Sequence, residues 1–454
     1  MIQTLIIAMP GVAALIVCIR RGPERAFLDV YLPVLLLLPQ SYFWPISGQL
    51  SFSDTAILPI GLFILYRSKW HWNTIDLLII AYMAITIIAE GMNKGYKLGS
   101  QNIASHELCS ILLPYVAAKR VFQFPSLAVE AGKRIVLSLA IVSILSVYEF
   151  RMGSDLFTRM FAGIFPPLGN TVVFRSGFMR TQGPYGHAIA LGIVMAIGFR
   201  VARWLEWTGS WKNHFRFLPI STIRLCELWI VAGSIMSLSV GPWLGTLCGV
   251  AIVSVCRARN RRLAIASLIV AVILVAGPIN SRFEKFISAD PQIKTGTIDQ
   301  LQEDSAYRSQ MIQLYIPLIE ERPNWGWGIN EVPALSGITS IDNDYILTAV
   351  VFGVYALLFK VALLVWPLVR LPIISFPLRP DDPRASAAFS LMGIYVLLLF
   401  VLGTVSFGST DGLLFILISG WSAALLGTPG YKVREVEPTV LQPTTKLAFK
   451  RVMV

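Results

Sequence analysis

Six charged residues carry most of the chemistry this chain offers: Arg175, Arg180, Arg308 and Arg322, with Asp342 and Asp344. A guanidinium fork takes phosphate oxygens bidentately, and a carboxylate can act as a general base. Together they suit transfer of a group away from a pyrophosphate. Cations stabilise the departing charge while the base takes a proton from an attacking hydroxyl. Histidine contributes less: His71, His106, His187 and His214 are scattered, and none falls between residues 279 and 344. Taken singly, each arginine is more often a partner for lipid headgroups or nearby acids than a catalytic group.

What must position these residues is a membrane bundle. The 454 residues are 55% hydrophobic and only 14% charged, with mean hydropathy +0.66. A soluble domain carries about a quarter charged residues. The apolar residues come in runs of roughly 16 to 22, the length a bilayer demands of a helix. Backbone amides in lipid must be satisfied internally, so these runs are helices. The expected fold is all-α, a polytopic integral membrane helical bundle of about 13 transmembrane helices. The spans fall near 3–19, 27–39, 53–66, 75–90, 104–118, 135–150, 185–200, 225–240, 242–256, 264–278, 345–366, 387–405 and 411–426.

Basic residues set the orientation. About 26 of the 38 Lys and Arg fall in loops on one side, about 11 on the other, and Lys360 lies within a span. The richer side is taken as cytoplasmic. This puts the N-terminus outside and the basic tail 427–454 inside, so the net charge of +12 is mostly a topology signal. Clustered basic and aromatic residues of a nucleic-acid-binding domain are not found. The basic residues follow the first apolar run instead of preceding it, which argues against a cleaved signal peptide. The five cysteines lie in or beside spans without metal-ligand spacing, so no metal or other cofactor is called for.

The organisation is therefore an N-terminal bundle over 1–278 with an outer loop at 151–184, a large outer loop at 279–344, C-terminal helices over 345–426, and the tail. A loop of that size on a compact bundle is usually functional. Within it, Asp304-Ser305 reads as a helix start before SAYRSQMIQLYIPLIEERP, with Ile312, Tyr315, Ile316 and Ile319 at helical spacing and a bend at Pro317. Then comes Pro323-Asn324-Trp325-Gly326-Trp327-Gly328, where Gly326 and Gly328 permit a tight turn.

The order of Arg308, this Pro-x-x-Gly-x-Gly stretch, and Asp342-Asn343-Asp344-Tyr345-Ile346-Leu347 leading into a helix resembles the O-antigen ligase and polymerase superfamily. The upstream Arg180-Thr181-Gln182-Gly183-Pro184-Tyr185-Gly186-His187 is similar to the family's arginine and glycine-rich approach to a helix, and Arg175 and Gly186 stand eleven apart. Two departures matter. Asp342 stands where family ligases have histidine, and Ser239-Val240-Gly241 where they commonly have Ser-Arg-Gly, unless Arg175 or Arg282 substitutes for the missing cation. Both tilt the reading from ligase toward polymerase.

The resemblance implies a membrane glycosyltransferase polymerising undecaprenyl-pyrophosphate-linked repeat units, of exopolysaccharide or O-antigen type, on the periplasmic face of a bacterial inner membrane. Arg180 and Arg308 would act on the pyrophosphate and Asp342 as base or acceptor-orienting group, with Arg175, Arg322, His187, Asn343 and Tyr345 binding substrate and Gly326 and Gly328 shaping the loop. For Tyr345, interfacial anchoring is the stronger reading. A lateral groove should take the polyprenyl tail, and a flippase and a chain-length regulator are the partners implied. The rivals are a ligase acting on lipid A core or another acceptor, a flippase or transporter, and a non-catalytic assembly protein. A transporter would favour internal repeats and several ionisable residues deep in the spans.

Overall fold

The computed structural model describes residues 2–43, 50–68, 70–94, 103–166, 173–175, 177–211, 220–270, 310–335 and 340–427. Arg282, Arg308, His214 and the Asp304-Ser305 helix start lie outside them. The fold is the all-α membrane bundle expected. Among the described residues, eight helices are long and apolar enough to cross a membrane. The helices used below are α1 (Ile2–Arg21), α2 (Phe52–Arg67), α3 (Thr74–Lys94), α4 (Leu113–Phe122), α5 (Pro125–Met152), α6 (Ala188–Trp207), α7 (Thr222–Met236), α8 (Val240–Arg257), α9 (Asp344–Ser375), α10 (Pro383–Leu402) and α11 (Ser409–Gly427).

The other five expected spans coincide with shorter or irregular helix. α2 and α7 have 16 and 15 residues. The span at 264–278 is described only to residue 270. The remaining two contain π-helical turns at Phe27–Tyr31 and Leu108–Leu112. Each π turn is followed by a proline two residues after its end, Pro33 and Pro114. A proline has no N–H to give to the carbonyl four residues back. At both places the preceding amide reaches a fifth residue instead, Leu32 to Phe27 and Leu113 to Leu108.

Polar contacts gather the loops into two ends. At the basic end Arg25 pairs with Glu130, Arg120 with Glu24 (3.1 Å) and Arg134 with Asp29 (2.8 Å). Lys119 is fully buried there against Asp76 at 2.7 Å. At the other end Gln3 donates to the Ile164 carbonyl (2.7 Å), Asn93 to that of Trp325 (2.8 Å) and Asn343 to that of Gly403 (3.1 Å). Large apolar side chains such as Ile2, Met9, Leu77 and Leu247 are exposed along the flanks of the spans. That is where lipid, not water, is the solvent.

α9 is not one straight rod. Gly353 has φ 83° and ψ 175° in its middle. A straight helix would hold residues 344 and 360 about 24 Å apart, yet Asp344 and Lys360 form an ion pair, and Lys360 also donates to Thr348 Oγ1 at 3.0 Å. The two halves therefore close on each other at the break. Breaking a helix frees backbone groups, which must find partners at membrane depth. The Pro323–Gly328 stretch supplies them: Trp327 N–H donates to Val350 O (2.8 Å), Gly328 N–H to Val351 O (2.9 Å), and Val354 N–H to Pro323 O (2.7 Å). A Cβ on Gly353 would sit 2.2 Å from the Asn324 carbonyl oxygen, and one on Gly326 would sit 2.5 Å from both Val350 O and Val351 O. Glycine is required on both sides of this junction.

The helix at 310–321 packs on the same junction. Its buried residues are Met311 and Tyr315, in a cluster with Val350, Leu318, Ile319 and Trp327. Ile312 and Ile316, expected on the apolar face, are exposed, so the buried stripe is rotated by one residue. Pro317 lies inside the helix without ending it.

Candidate active site

The loop after α5 folds into a small hairpin. Phe174–Arg175 pairs antiparallel with Phe178–Met179, and the Phe178 ring stacks on Phe150 of α5 at 5.2 Å. The chain then runs through Arg180 to His187, held from below by two acids. Glu149, fully buried on α5, accepts from Gly183 N–H (3.0 Å) and Leu156 N–H (3.3 Å). Asp155 caps its own short helix through Thr158 N–H (2.9 Å) and accepts from Gln182 (2.8 Å). Tyr185 O–H reaches the Leu36 carbonyl (3.0 Å).

Arg175 and Arg180 converge on the turn Ser237–Ser239, which joins α7 to α8. Arg175 donates to Leu238 O (2.9 Å), and Arg180 donates to Ser239 Oγ (2.9 Å) and Ser237 O (3.4 Å). Leu238 has φ 49°. A bulky non-glycine residue in that region is strained, and such strain persists only where the surroundings hold it. The two guanidiniums thus stand over the turn beginning the Ser239-Val240-Gly241 stretch, where the resemblance left a missing arginine.

His187 caps α6, its Nδ1 accepting from Ile189 N–H at 3.2 Å. The acceptor role places a neutral ring's proton on Nε2. Partial burial by neighbouring atoms and the Arg180 charge both lower its pKa from the ordinary histidine value, with Asp342 acting in the opposite sense, while the side chain keeps exposed surface. His187 is therefore within electrostatic reach of both Arg180 and Asp342.

Asp342 precedes α9 without capping it. The cap is Asn343, whose Oδ1 accepts from Tyr345 N–H (3.0 Å) and Ile346 N–H (3.1 Å) while Nδ2 holds Gly403 O. Asp342 is half-buried and accepts from Ser340 Oγ at 2.7 Å. Asp344 points inward instead: it is 2% exposed, paired with Lys360, and accepts from Phe407 N–H (3.1 Å). Tyr345 ties α9 to α10 through the Leu399 carbonyl (2.9 Å), an anchor between helices.

The structure thus brings Arg175 and Arg180 together on the Ser237–Ser239 turn, with His187 within electrostatic reach of Arg180 and of Asp342. Gly326 and Gly328 form the junction with α9, and Arg322 serves it by stacking on Trp327 at 4.1 Å and reaching Asn93. Sequence reasoning missed Glu149 and Asp155 as supports, although Glu149 stands out as an acid ending the apolar run 135–150. Beneath the arginines, α6, α7 and α8 enclose an apolar groove of about 260 Å³, lined by Phe199, Ile230, Ile235, Trp243 and Leu247. Ile235 and Leu247 are 55% and 64% exposed, so the groove opens sideways.

Residues 227–361 match the family model described as O-antigen ligase. The match takes in the Ser237–Ser239 turn, the Trp325–Gly328 junction and Asp342–Tyr345, and bears out the resemblance seen in the sequence. Arg175, Arg180 and His187 lie upstream of it. No curated protein matches the chain.

Proposed function

We propose, taking the O-antigen ligase-type domain at 227–361 as premise, that this protein polymerises lipid-linked glycan repeat units on the periplasmic face of a bacterial cytoplasmic membrane. The donor is a glycan on undecaprenyl pyrophosphate. An acceptor hydroxyl attacks the donor's anomeric carbon, the bond from that carbon to the pyrophosphate oxygen breaks, and the lipid pyrophosphate leaves. Asp342 takes the hydroxyl proton. Arg175 and Arg180 stabilise the charge developing on the pyrophosphate, and His187, neutral, donates from Nε2 to it.

One observation carries the reading: two arginines from one loop meet at the Ser237–Ser239 turn, beside His187 and above an apolar groove. This is the arrangement a polyprenyl pyrophosphate asks for, with cations at the headgroup and a lateral slot for the tail. A ligase would use the same chemistry on another acceptor, such as lipid A core, and the description of the matched family favours keeping it as the second reading. Purified protein in nanodiscs, given undecaprenyl-pyrophosphate repeat units alone, is the test. A ladder of products supports polymerisation; products only when lipid A core is added support ligation.

A further inference from the structure

A second enclosure is bordered by Asp344 and by neither Arg175 nor Arg180. It has a volume of about 350 Å³ and sits among the outer parts of α2, α3, α9, α11 and the helix at 103–107. Ordinary small-ligand sites run from about 300 to 1,000 Å³. Its charged lining is mostly acceptor: Asp54, Glu107 and Asp344, with Lys360 as the one facing ammonium among the described residues, and Gln40, Ser51, Tyr82, His106 and Ser110 add further polar groups.

That ammonium is already paired with Asp344. Asp54 is partly satisfied, by Ser51 N–H at 2.9 Å and Ser110 Oγ at 3.4 Å. Glu107 differs. It is 5% exposed, its Oε1 accepts from Thr86 Oγ1 (3.3 Å), and its Oε2 has no hydrogen-bond partner. A buried acceptor left without a donor costs free energy unless a ligand supplies one. Glu107 also immediately precedes the π turn Leu108–Leu112, and such turns are frequent at functional sites.

The other walls are apolar, with the aromatic residues Phe43, Tyr82, Phe352 and Phe407 alongside aliphatic ones such as Ile103, Ile111 and Leu363. A ligand for this cavity must donate hydrogen bonds and present apolar C–H faces, and it must not be an anion. A neutral pyranose does all three. The cavity adjoins the catalytic segment directly: Asp344 is two residues from Asp342, and Ile329, next to the Trp325–Gly328 junction, forms part of its wall.

We infer that this cavity is the acceptor subsite, holding the terminal neutral sugar of the glycan whose hydroxyl is glycosylated, with Glu107 as its principal hydrogen-bond acceptor. The inference rests on the transferase reading above for its role, but not for sugar binding itself. The test is saturation-transfer NMR on the full chain in nanodiscs, with methyl β-galactopyranoside, methyl N-acetyl-β-glucosaminide and methyl β-glucuronide as probes. Signal is expected for at least one neutral glycoside and not for the glucuronide. Glu107→Leu should weaken the signal by about three- to tenfold, the worth of a hydrogen bond. Glu107→Gln, which keeps the Thr86 contact and the side-chain shape, should weaken it as well, and Arg180→Ala should leave it unchanged. Absence of signal from both neutral glycosides, undiminished signal in the two Glu107 variants, or equal signal from the glucuronide would overturn the assignment. Glycoside binding as stated in a protein that transfers no glycan would leave the cavity standing and remove the transferase reading alone.

Discussion

Replacing Asp342 by asparagine separates catalysis from architecture at one position. The carboxylate accepts a single described hydrogen bond, from Ser340 Oγ at 2.7 Å, and asparagine's carbonyl oxygen can keep it. The helix cap belongs to Asn343, so the substitution removes no capping contact. The stability change should stay within about 0.5 kcal/mol, as for surface positions away from caps and cores. The rate should fall by about 10² to 10⁴, the usual worth of a general base, equivalent to roughly 3–5 kcal/mol of activation free energy. Asn343→Ala gives the opposite signature. It loses both cap bonds and the Gly403 contact, and costs about 1 kcal/mol or more of stability. Asp342→His, restoring the pairing that family ligases show, should keep part of the activity. Initial rates of glycan transfer by purified variants of matched thermal stability make the measurement. A rate for Asp342→Asn within a few-fold of the parent would refute the base assignment. It would send the search to Glu320 or Glu321, since Asp344 is committed to Lys360 and Phe407.

Arg175→Ala and Arg180→Ala should each lower transfer by about 10²- to 10³-fold, as loss of a transition-state donor does. Lysine at either position should recover little, because an ammonium cannot reproduce the planar fork; full activity of both alanine variants at normal membrane levels would remove the clamp. In protein carrying ¹³C-labelled histidine, with His187→Gln used for assignment, His187 should titrate below the ordinary histidine value of 6.5. Arg180→Ala removes one lowering influence and should raise that value, whereas a parent value above 6.5 would contradict the placement. Gly326→Ala forces a Cβ to 2.5 Å from two carbonyl oxygens at a backbone φ of 63°. Strain of about 1–3 kcal/mol is expected, read as a lowered melting temperature, and an unchanged one would mean the loop is not docked on α9.

Most of the bundle was legible because lipid leaves helices little alternative, and each expected span coincides with helix where it is described. What could not be read was tertiary closure. Nothing in a run of apolar residues from 345 to 366 says that Gly353 breaks it, because glycine is common in membrane helices. Gly326 and Gly328 were recognisable as a turn, but their partners Val350 and Val351 are fixed only by the break. Asp342 and Asn343 are adjacent and both can cap a helix, so which of them does so is decided by backbone geometry. Arg175 and Arg180 could be named from charge and motif. Their meeting at Ser237–Ser239, some sixty residues away, could not, although the departure from Ser-Arg-Gly pointed to that turn as the place where a cation was lacking.

The central claim is glycan transfer from a lipid pyrophosphate by the Arg175–Arg180–Asp342 group. Its most direct measurement is the fate of a purified undecaprenyl-pyrophosphate repeat unit, labelled in the sugar, incubated with the protein in nanodiscs. Label moving into longer glycans with stoichiometric release of undecaprenyl pyrophosphate, and lost in Arg180→Ala, is the predicted result. Label remaining on the single-unit lipid, with and without lipid A core present, would contradict the account.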